Sequence, residues 1–407
     1  MTIERPQHPI PGLLEILRGL TIGHAANALI GFTFAASGPM AIILAAGATG
    51  GLSDAELASW IFGALTGNGL ISILFSIVYR MPLVFFWTIP GTVLVGPAIA
   101  KASLREVIGA FVLTGALMLV LGLFGLIRRV MAAIPLPVVM GMVAAVFLPF
   151  GLEWLKALRV DPLISGPMTA AFLAASVLPV RYARVPPLIA ALVAGGITLY
   201  LTLGVPAAGS ELTILRLAEP LLLIPAFSPP VLLELVVPLC ITVLVVQNGQ
   251  GIAILTAQGH QPPINAIAVG CGVASMMMAP LGTVSTCLTG PVNAILSSGG
   301  RKETQYTAAV LVGFLAIGFG LIAPLFTKAM LAAPPAFIAT LAGLAMLRVL
   351  QTAFTAAFGG RFALSALTAF LVSVAGIPIL SIGAPFWGLV AGYLVSCTIE
   401  RGDHPQD

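Results

Sequence analysis

The sequence predicts an all-α protein that crosses a membrane many times. Of its 407 residues, 59% are hydrophobic and only 8% are charged, whereas a soluble protein carries about 25% charged residues. Apolar runs near the length of a membrane span recur from one end of the chain to the other. These runs are continuous rather than alternating, and this pattern excludes an outer-membrane β-barrel.

Apolar runs bounded by charges or turn signals give fourteen predicted membrane segments. We expect a cytoplasmic N-terminal segment at 1–21, a first seven-segment repeat at 22–204, a connecting loop at 205–228, a second repeat at 229–398 and a cytoplasmic tail at 399–407. The first seven segments are 22–46, 57–79, 84–100, 106–127, 135–152, 164–180 and 186–204. The other seven are 229–256, 262–279, 282–298, 304–327, 334–352, 361–376 and 380–398.

The charges in the loops predict the topology. The start, MTIERPQHPIPGLLEILRGL, shows no cleavable signal and is typical of an uncleaved cytoplasmic N-terminus. With that start inside, twelve of the 18 Lys and Arg residues fall on the cytoplasmic side, which agrees with the positive-inside rule. We therefore expect both termini on the cytoplasmic side of a bacterial inner membrane. Because the positive charge is spread over many loops, it indicates topology rather than nucleic-acid binding.

The third segment is broken by residues that disfavour helices. Residues 89–100 read IPGTVLVGPAIA, and inside a helix a proline costs about 3 kcal/mol and a glycine about 1 kcal/mol. GTV at 91–93 and Gly-Pro at 96–97 are echoed in the tenth segment by GTV at 282–284 and Gly-Pro at 290–291. Seven segments per half would give the halves opposite orientations, the inverted-repeat plan of many secondary transporters.

Two broken helices at matching places favour a binding site. Backbone groups that leave a helix inside a bilayer need partners from the protein or from a water-filled cavity. A helix N-terminus offers free N–H groups and a partial positive charge to an anion. Two such ends, one per half, would face each other and hold one carboxylate. The alternative is that glycine and proline only allow close contacts between helices.

Polar and titratable side chains inside the apolar segments are few. The eighth segment carries Gln247, Asn248 and Gln250, whose amides can orient a carboxylate or simply join helices by hydrogen bonds. Glu234 and His24 are the candidates for carrying a proton. Each has a simpler interpretation, as a carboxylate at a helix N-terminus and as a histidine at the membrane boundary.

Chemistry other than transport has little support in the sequence. The four cysteines lack CxxC spacing and lie in apolar surroundings, so we interpret them as small core residues rather than disulfide or metal ligands. The sequence contains no HExxH motif, nucleophile elbow or clustered pair of carboxylates. We therefore predict no enzyme activity, no cofactor and no metal.

Five stretches share their pattern with a known family. They are GFTFAASGPMAIILAAG (31–47), ASWIFGALTGNGL (58–70), YRMPLVFFWTIPGTVLVGPA (79–98), RRVMAAIPLPVVMGMVA (128–144) and VVQNGQGIAIL (245–255). Together they resemble the bacterial benzoate:proton symporter (BenE) family, which is related in fold to nucleobase:cation symporters and sulfate-permease-type anion transporters. The resemblance implies a seven-plus-seven inverted repeat, core and gate domains, and short strands leading into half-helices at segments three and ten.

In such folds the substrate binds between the third and tenth segments, flanked by the first and eighth. Gln247 and Asn248 stand where related nucleobase symporters carry an acid followed by a histidine, and Gly290 stands near a second acid. The loss of both acids fits an anionic substrate. Carried over residue by residue, the resemblance implies a substrate site of Phe32, Phe34, Ser37, Thr88, Pro90, Gly91, Thr92, Gln247, Asn248, Thr283, Val284, Ser285 and Thr286.

The resulting hypothesis is a secondary active transporter that imports benzoate or a similar aromatic carboxylate with a proton by alternating access. Such an acid has a pKa of about 4 and arrives as an anion. Its carboxylate would face the half-helix N-termini, and its ring would lie against Phe32, Phe34 or Phe86. The alternatives are an uncoupled anion channel or facilitator, a nucleobase:cation symporter and a membrane scaffold. Which acid is preferred, which residue carries the proton and whether the chain forms a homodimer are questions that the sequence leaves open.

Overall fold

Helices make up nearly all the regular structure in this computed structural model, which describes residues 3–177, 187–203, 217–331, 333–379 and 383–403. The first half contains α1 (Leu13–Gly19), α2 (Ile22–Thr49), α3 (Asp54–Tyr79), β1 (Phe85–Trp87), α4 (Ile89–Ile99), α5 (Leu104–Leu123), α6 (Ile127–Ala133), α7 (Leu136–Val160), α8 (Pro162–Val177) and α9 (Pro187–Leu203). The second half contains α10 (Pro229–Ile241), α11 (Gly249–Ala257), α12 (Ile264–Met278), β2 (Thr286–Leu288), α13 (Gly290–Ser297), α14 (Tyr306–Leu321), α15 (Ala323–Leu331), α16 (Pro335–Phe358), α17 (Ala363–Ala375) and α18 (Ala384–Thr398).

Within the described residues, eight helices are long and apolar enough to cross a membrane. Each of the fourteen predicted segments overlaps a helix or a strand followed by a helix. The number of spans stays a prediction, because α4 has only 11 residues and α13 only 8. Residues 205–216 of the predicted connecting loop and residues 404–407 of the predicted tail lie outside the described residues.

Helix α5 ends earlier than the sequence predicts, at Leu123 instead of residue 127. Gly125 has a φ of 69°, and the Leu126 N–H donates to the Leu121 carbonyl at 2.9 Å. This is the Schellman ending that a left-handed glycine allows. The apolar residues that follow begin the separate short helix α6, so the predicted boundary is wrong by four residues.

Three of the four cysteines are buried, as the sequence predicts. Cys240, Cys271 and Cys287 lie in one apolar cluster with residues of α3, α12 and both strands. Cys397 is exposed on the last turn of α18, so its assignment to the core is wrong. An apolar neighbourhood in the sequence cannot distinguish a core position from a helix face that is covered only by lipid.

The helices form two packed groups. In the first group α3 packs against α14, α5 packs against α12 and α10, and α2 packs against α4 and α13. In the second group α7 packs against α16 and α17, α17 against α18, and α8 against α9. The groups meet where α2 contacts α16 and where α10 contacts the start of α18. Both strands and both broken helices belong to the first group.

Candidate functional site

The two broken segments meet in a small antiparallel sheet. Strand β1 pairs with β2 so that Phe86 lies opposite Cys287 and Trp87 lies opposite Thr286. Just beyond the strands, the Thr88 N–H donates to the Ser285 carbonyl at 3.0 Å and the Thr289 N–H donates to the Val84 carbonyl at 3.1 Å. Helix α4 therefore begins at one end of the sheet and helix α13 begins at the other.

This register separates the two helix N-termini. Thr88 and Val84, which pairs with Thr289, are four residues apart on one extended strand, or roughly 13 Å at 3.3 Å per residue. A carboxylate can bond directly to only one of the helix starts and interacts with the other at a distance. The expectation that two facing N-termini hold one carboxylate is therefore wrong in its geometry.

Side chains cover the outer edges of both strands. The Phe85 N–H donates to Ser72 Oγ at 2.8 Å, and the Thr286 N–H donates to Ser275 Oγ at 2.9 Å. Asn248 Oδ1 accepts from the Leu288 N–H at 2.7 Å. Open strand edges do not survive in a bilayer without such partners. Asn248, a predicted substrate ligand, therefore has a structural role, which is the alternative that the sequence left open.

The two half-helices begin differently. At α4 the Thr88 hydroxyl accepts from the Gly91 N–H at 3.2 Å, which is an ordinary N-cap. At α13 the Thr289 side chain makes no such bond. Among the described residues, nothing accepts from the N–H groups of Gly290 and Val292. The start of α13 thus keeps two free donors and the positive end of its dipole.

Gln250 lies directly over the start of α13. A Cβ placed on Gly290 would meet Gln250 Oε1 at 2.6 Å, so this amide and the first residue of α13 are in close contact. Gln250 is exposed, whereas Gly290 is buried. The amide is therefore the accessible polar group beside the free N–H groups.

Several buried polar atoms near the sheet have no partner among the described residues. They include Trp87 Nε1, Ser285 Oγ and Thr286 Oγ1. Trp87 and Thr286 are cross-strand partners, so their side chains lie on the same face. Buried polar groups are nearly always hydrogen-bonded. Unpaired atoms gathered at one strand pair are therefore what a polar ligand would satisfy.

The other predicted residues of the third and tenth segments are already engaged. The Thr92 hydroxyl donates to the Thr88 carbonyl at 2.8 Å. The Thr283 hydroxyl donates to the Trp60 carbonyl at 3.1 Å, and Val284 is part of the apolar core. Pro90 occupies the first turn of α4, where its missing N–H costs nothing.

The predicted residues of the flanking segments lie nearby in the first helix group. Phe32 packs edge-to-face on Phe319 with ring centroids 5.7 Å apart, and the Ser37 hydroxyl bonds to the Phe34 carbonyl at 3.0 Å. Gln247 lies in the π-helical stretch Thr242–Asn248 that joins α10 to α11. Such π-turns frequently mark functional sites.

The two proton-carrying candidates lie on different helices and have no neighbour in common among their described contacts. His24 is buried at the start of α2, with Nδ1 2.9 Å from the Gly19 carbonyl oxygen. Its Nε2 has no partner among the described residues and lies against Gly300. Glu234 is half-buried on α10, and its carboxylate lies against Gly383 at the start of α18, where a Cβ on Gly383 would collide with Glu234 Oε1.

A cavity of about 890 Å³ opens beside the C-terminal half of α4, between α7, α10 and α16. Val93 and Leu94 form part of its wall, one turn beyond the start of α4. Of the predicted site residues, only Glu234 lines this cavity. The predicted ligands at the sheet are enclosed instead, so the large open space and the polar site are adjacent rather than identical.

Comparison with known proteins identifies the family. Residues 20–398 match the family model described as BenE, benzoate membrane transport protein. This chain belongs to the BenE family. The family consists of transporters rather than enzymes. BenE relatives include the inner membrane protein YdcO of Escherichia coli, 30% identical with 94% of each chain covered. The benzoate membrane transport protein of Acinetobacter baylyi is 28% identical, with 88% of this chain and 90% of the relative covered.

Solved structures show which fold this BenE chain shares. The transmembrane domain of a cyanobacterial bicarbonate transporter, BicA, has a TM-score of 0.60 at 17% identity, with 92% of this chain and 98% of that one covered. The murine anion transporter Slc26a9 in an inward-facing state has a TM-score of 0.62 at 11% identity, with 97% and 73% covered. At these identities the likeness concerns the fold alone.

The sequence of this BenE member placed the tenth-segment break too early. The residues carried over from the resemblance put the break at Thr283–Thr286, whereas the half-helix begins after Thr289. The motif that the two helix starts share is Thr-x-Pro, at 88–90 and 289–291. An N-cap threonine before a proline in the first turn is a recognisable start signal. Thr289 and Trp87 are therefore the residues that sequence reasoning missed.

Proposed function

We propose that this chain imports benzoate or a similar aromatic carboxylate together with a proton, by alternating access, across a bacterial inner membrane. The observation that carries the proposal is the free start of α13, with the Gln250 amide against its first residue. Two N–H groups and a helix dipole suit a carboxylate without a buried cation. The apolar surroundings suit an aromatic ring.

Another part of the chain illustrates this kind of contact. The Glu400 carboxylate lies at the start of α17, where it accepts from the N–H groups of Leu364 at 3.0 Å and Ser365 at 2.8 Å. The Ser365 hydroxyl donates to the same carboxylate. We infer that the substrate carboxylate binds in the same way at Gly290 and Val292, with the Gln250 amide, which lies against Gly290, as the third donor.

The proposed architecture is a seven-plus-seven inverted repeat. It is supported by the matching contacts of the two halves, in which Ser72 and Ser275 accept from equivalent strand residues. We assign the first helix group as the core domain and the second group as the gate domain. Both termini would be cytoplasmic, and a homodimer is compatible with this arrangement.

Proton coupling is proposed to involve Glu234 rather than His24. Glu234 lines an open cavity and reaches from the first helix group to Gly383 in the second. His24 is enclosed, and its contacts with Gly19, Gly300 and Thr307 all lie within the first group. One carboxylate and one proton would make the loaded step electroneutral.

Uptake by proteoliposomes tests the proposal. An inward proton gradient should drive accumulation of labelled benzoate, and a protonophore should abolish it. Equal uptake of benzoate with and without the proton gradient would identify an uncoupled facilitator instead. Competition by uracil or xanthine that exceeds competition by benzoate would favour a nucleobase carrier, which the missing acids at Gln247 and Gly290 disfavour.

A further inference from the structure

The large cavity beside α4 has a simple charge pattern. Most of its wall is alanine, valine, leucine and proline, and its charged side chains are Lys101, Glu153 and Glu234. Its volume of about 890 Å³ lies within the range of small-molecule sites. An apolar wall with a single cation has the chemistry that an aromatic monocarboxylate requires.

The carboxylates near this cavity differ in their partners. Glu153 pairs with Lys156 at 2.6 Å. Glu106 of α5, which packs against α10, accepts from the backbone N–H and the hydroxyl of Ser103. Glu234 lies against Gly383 and experiences the charge of Lys101. Glu234 is thus the carboxylate of this cavity whose negative charge is stabilised by Lys101.

Lys101 is available to a ligand. It is exposed at the end of α4, and within the described part of the chain its ammonium makes no ion pair or hydrogen bond. Arg105 is also exposed, but it does not line the cavity. The ammonium of Lys101 is therefore the cationic group of this cavity that an incoming anion can meet.

We propose that the cavity is a second, entry site for the aromatic carboxylate, where Lys101 binds the substrate once Glu234 has taken up a proton. The inference rests on the proposed function and names the residues that link the proton to the substrate. With Glu234 ionised, two carboxylates would share one ammonium and repel each other. A proton taken from water by Glu234 removes that repulsion, so the proton and the substrate enter together.

The same proton loosens a contact between the two helix groups. Glu234 belongs to α10 and Gly383 begins α18. The Glu234 carboxylate lies against Gly383, and a carboxylate attracts a backbone N–H roughly twice as strongly as a neutral acceptor does. Protonation therefore weakens this link while the substrate occupies the space between the groups. Protonation of Glu234 would thus both allow the substrate to bind and weaken the contact between the two helix groups.

Protection of Lys101 from acylation tests the inference on the full-length protein. A succinimidyl ester labels accessible lysines, and mass spectrometry quantifies the labelling of Lys101 and of Lys156 in the same sample. Benzoate should protect Lys101 and leave Lys156 unchanged. The benzoate concentration for half protection should rise about tenfold per pH unit between pH 6.5 and 8.5, because one proton is bound with each substrate.

Two variants test whether Glu234 is the group that takes up the proton when benzoate binds. Glu234→Gln keeps a carbonyl for the Gly383 N–H, and its half-protection concentration should be low at every pH. Asp54→Asn, an exposed carboxylate outside the cavity, should behave as wild type. An unprotected Lys101, or an unchanged pH slope in Glu234→Gln, overturns the inference. Proton-driven uptake by the wild type would still uphold the proposed function in either case.

Discussion

The starts of α4 and α13 are equivalent in sequence and unlike in structure. Both follow a three-residue strand, and both have a threonine before the helix and a proline in its first turn. Thr88 caps its helix, whereas Thr289 does not. The third N–H of α4 is thus satisfied by its own N-cap side chain, whereas the corresponding N–H of Val292 at α13 stays free among the described residues. One half of a repeat can therefore have a structural role while the equivalent part of the other half provides the contacts to the ligand.

The largest expected effect comes from placing a carboxylate at the open end. Gln250→Glu puts a negative charge beside Gly290, where it competes with the substrate. At roughly 6 Å and an effective dielectric constant of 20, the repulsion is about 3 kcal/mol. Benzoate affinity in equilibrium binding should therefore fall by about 100-fold. Gln258→Glu, at the exposed position directly after the same helix, is the control and should bind normally. Equal losses would refute the assignment.

Removing the unpaired hydroxyl should have the next largest effect. Thr286→Val keeps the shape of the side chain and removes an atom that has no partner in the described structure. Thr286 is too far along the strand from Gly290 to bond to the same carboxylate, so its hydroxyl would bind the substrate through an ordered water. A neutral hydrogen bond contributes about 0.5–1.5 kcal/mol. Affinity should fall by about threefold to tenfold while the thermal unfolding temperature is unchanged. Gln247→Leu should also weaken binding, by a smaller factor. Unaltered affinity in both variants would place the site elsewhere.

The two threonines before the helices provide a direct comparison of stability. Thr88→Val removes an N-cap and should cost about 1 kcal/mol of unfolding free energy. Thr289→Val removes no cap bond and should cost less. Thermal shift in detergent measures both changes. A larger loss for Thr289→Val would mean that the open end is closed in solution.

The smallest effect concerns Glu400 at the start of α17. Burial opposes its ionisation, but hydrogen bonds from Ser365 and Leu364 outweigh burial and lower its pKa below the ordinary value of 4.5. A lowered folded-state pKa adds stability above the unfolded value, and this stability is lost as the pH falls through the folded value. The contribution is below about 1 kcal/mol because the group is largely exposed. The thermal unfolding temperature of the wild type should therefore fall below pH 4.5, and that of Glu400→Gln should fall much less.

The sequence predicts the positions of the helices well because apolar runs and loop charges are local signals. It also predicts the break at Thr88–Thr92, since Pro90 and Gly91 are visible as helix breakers. It misplaces the second break, because GTV is a short motif that recurs by chance in a chain rich in small residues. The free start of α13 and the contact of Gln250 with Gly290 depend on residues about 40 positions apart, so no local pattern reports them.

The small sheet has a consequence for how the chain is made. Phe86 and its partner Cys287 are about 200 residues apart, which corresponds to roughly 10–40 s of synthesis at 5–20 residues per second. During that interval β1 has no partner strand. Ser72 and Ser76 accept from the N–H groups of Phe85 and Leu83, and both serines emerge from the ribosome before those residues. The first half of the molecule therefore satisfies the outer edge of β1 with its own residues, while the edge that pairs with β2 stays without its partner until the second half is made.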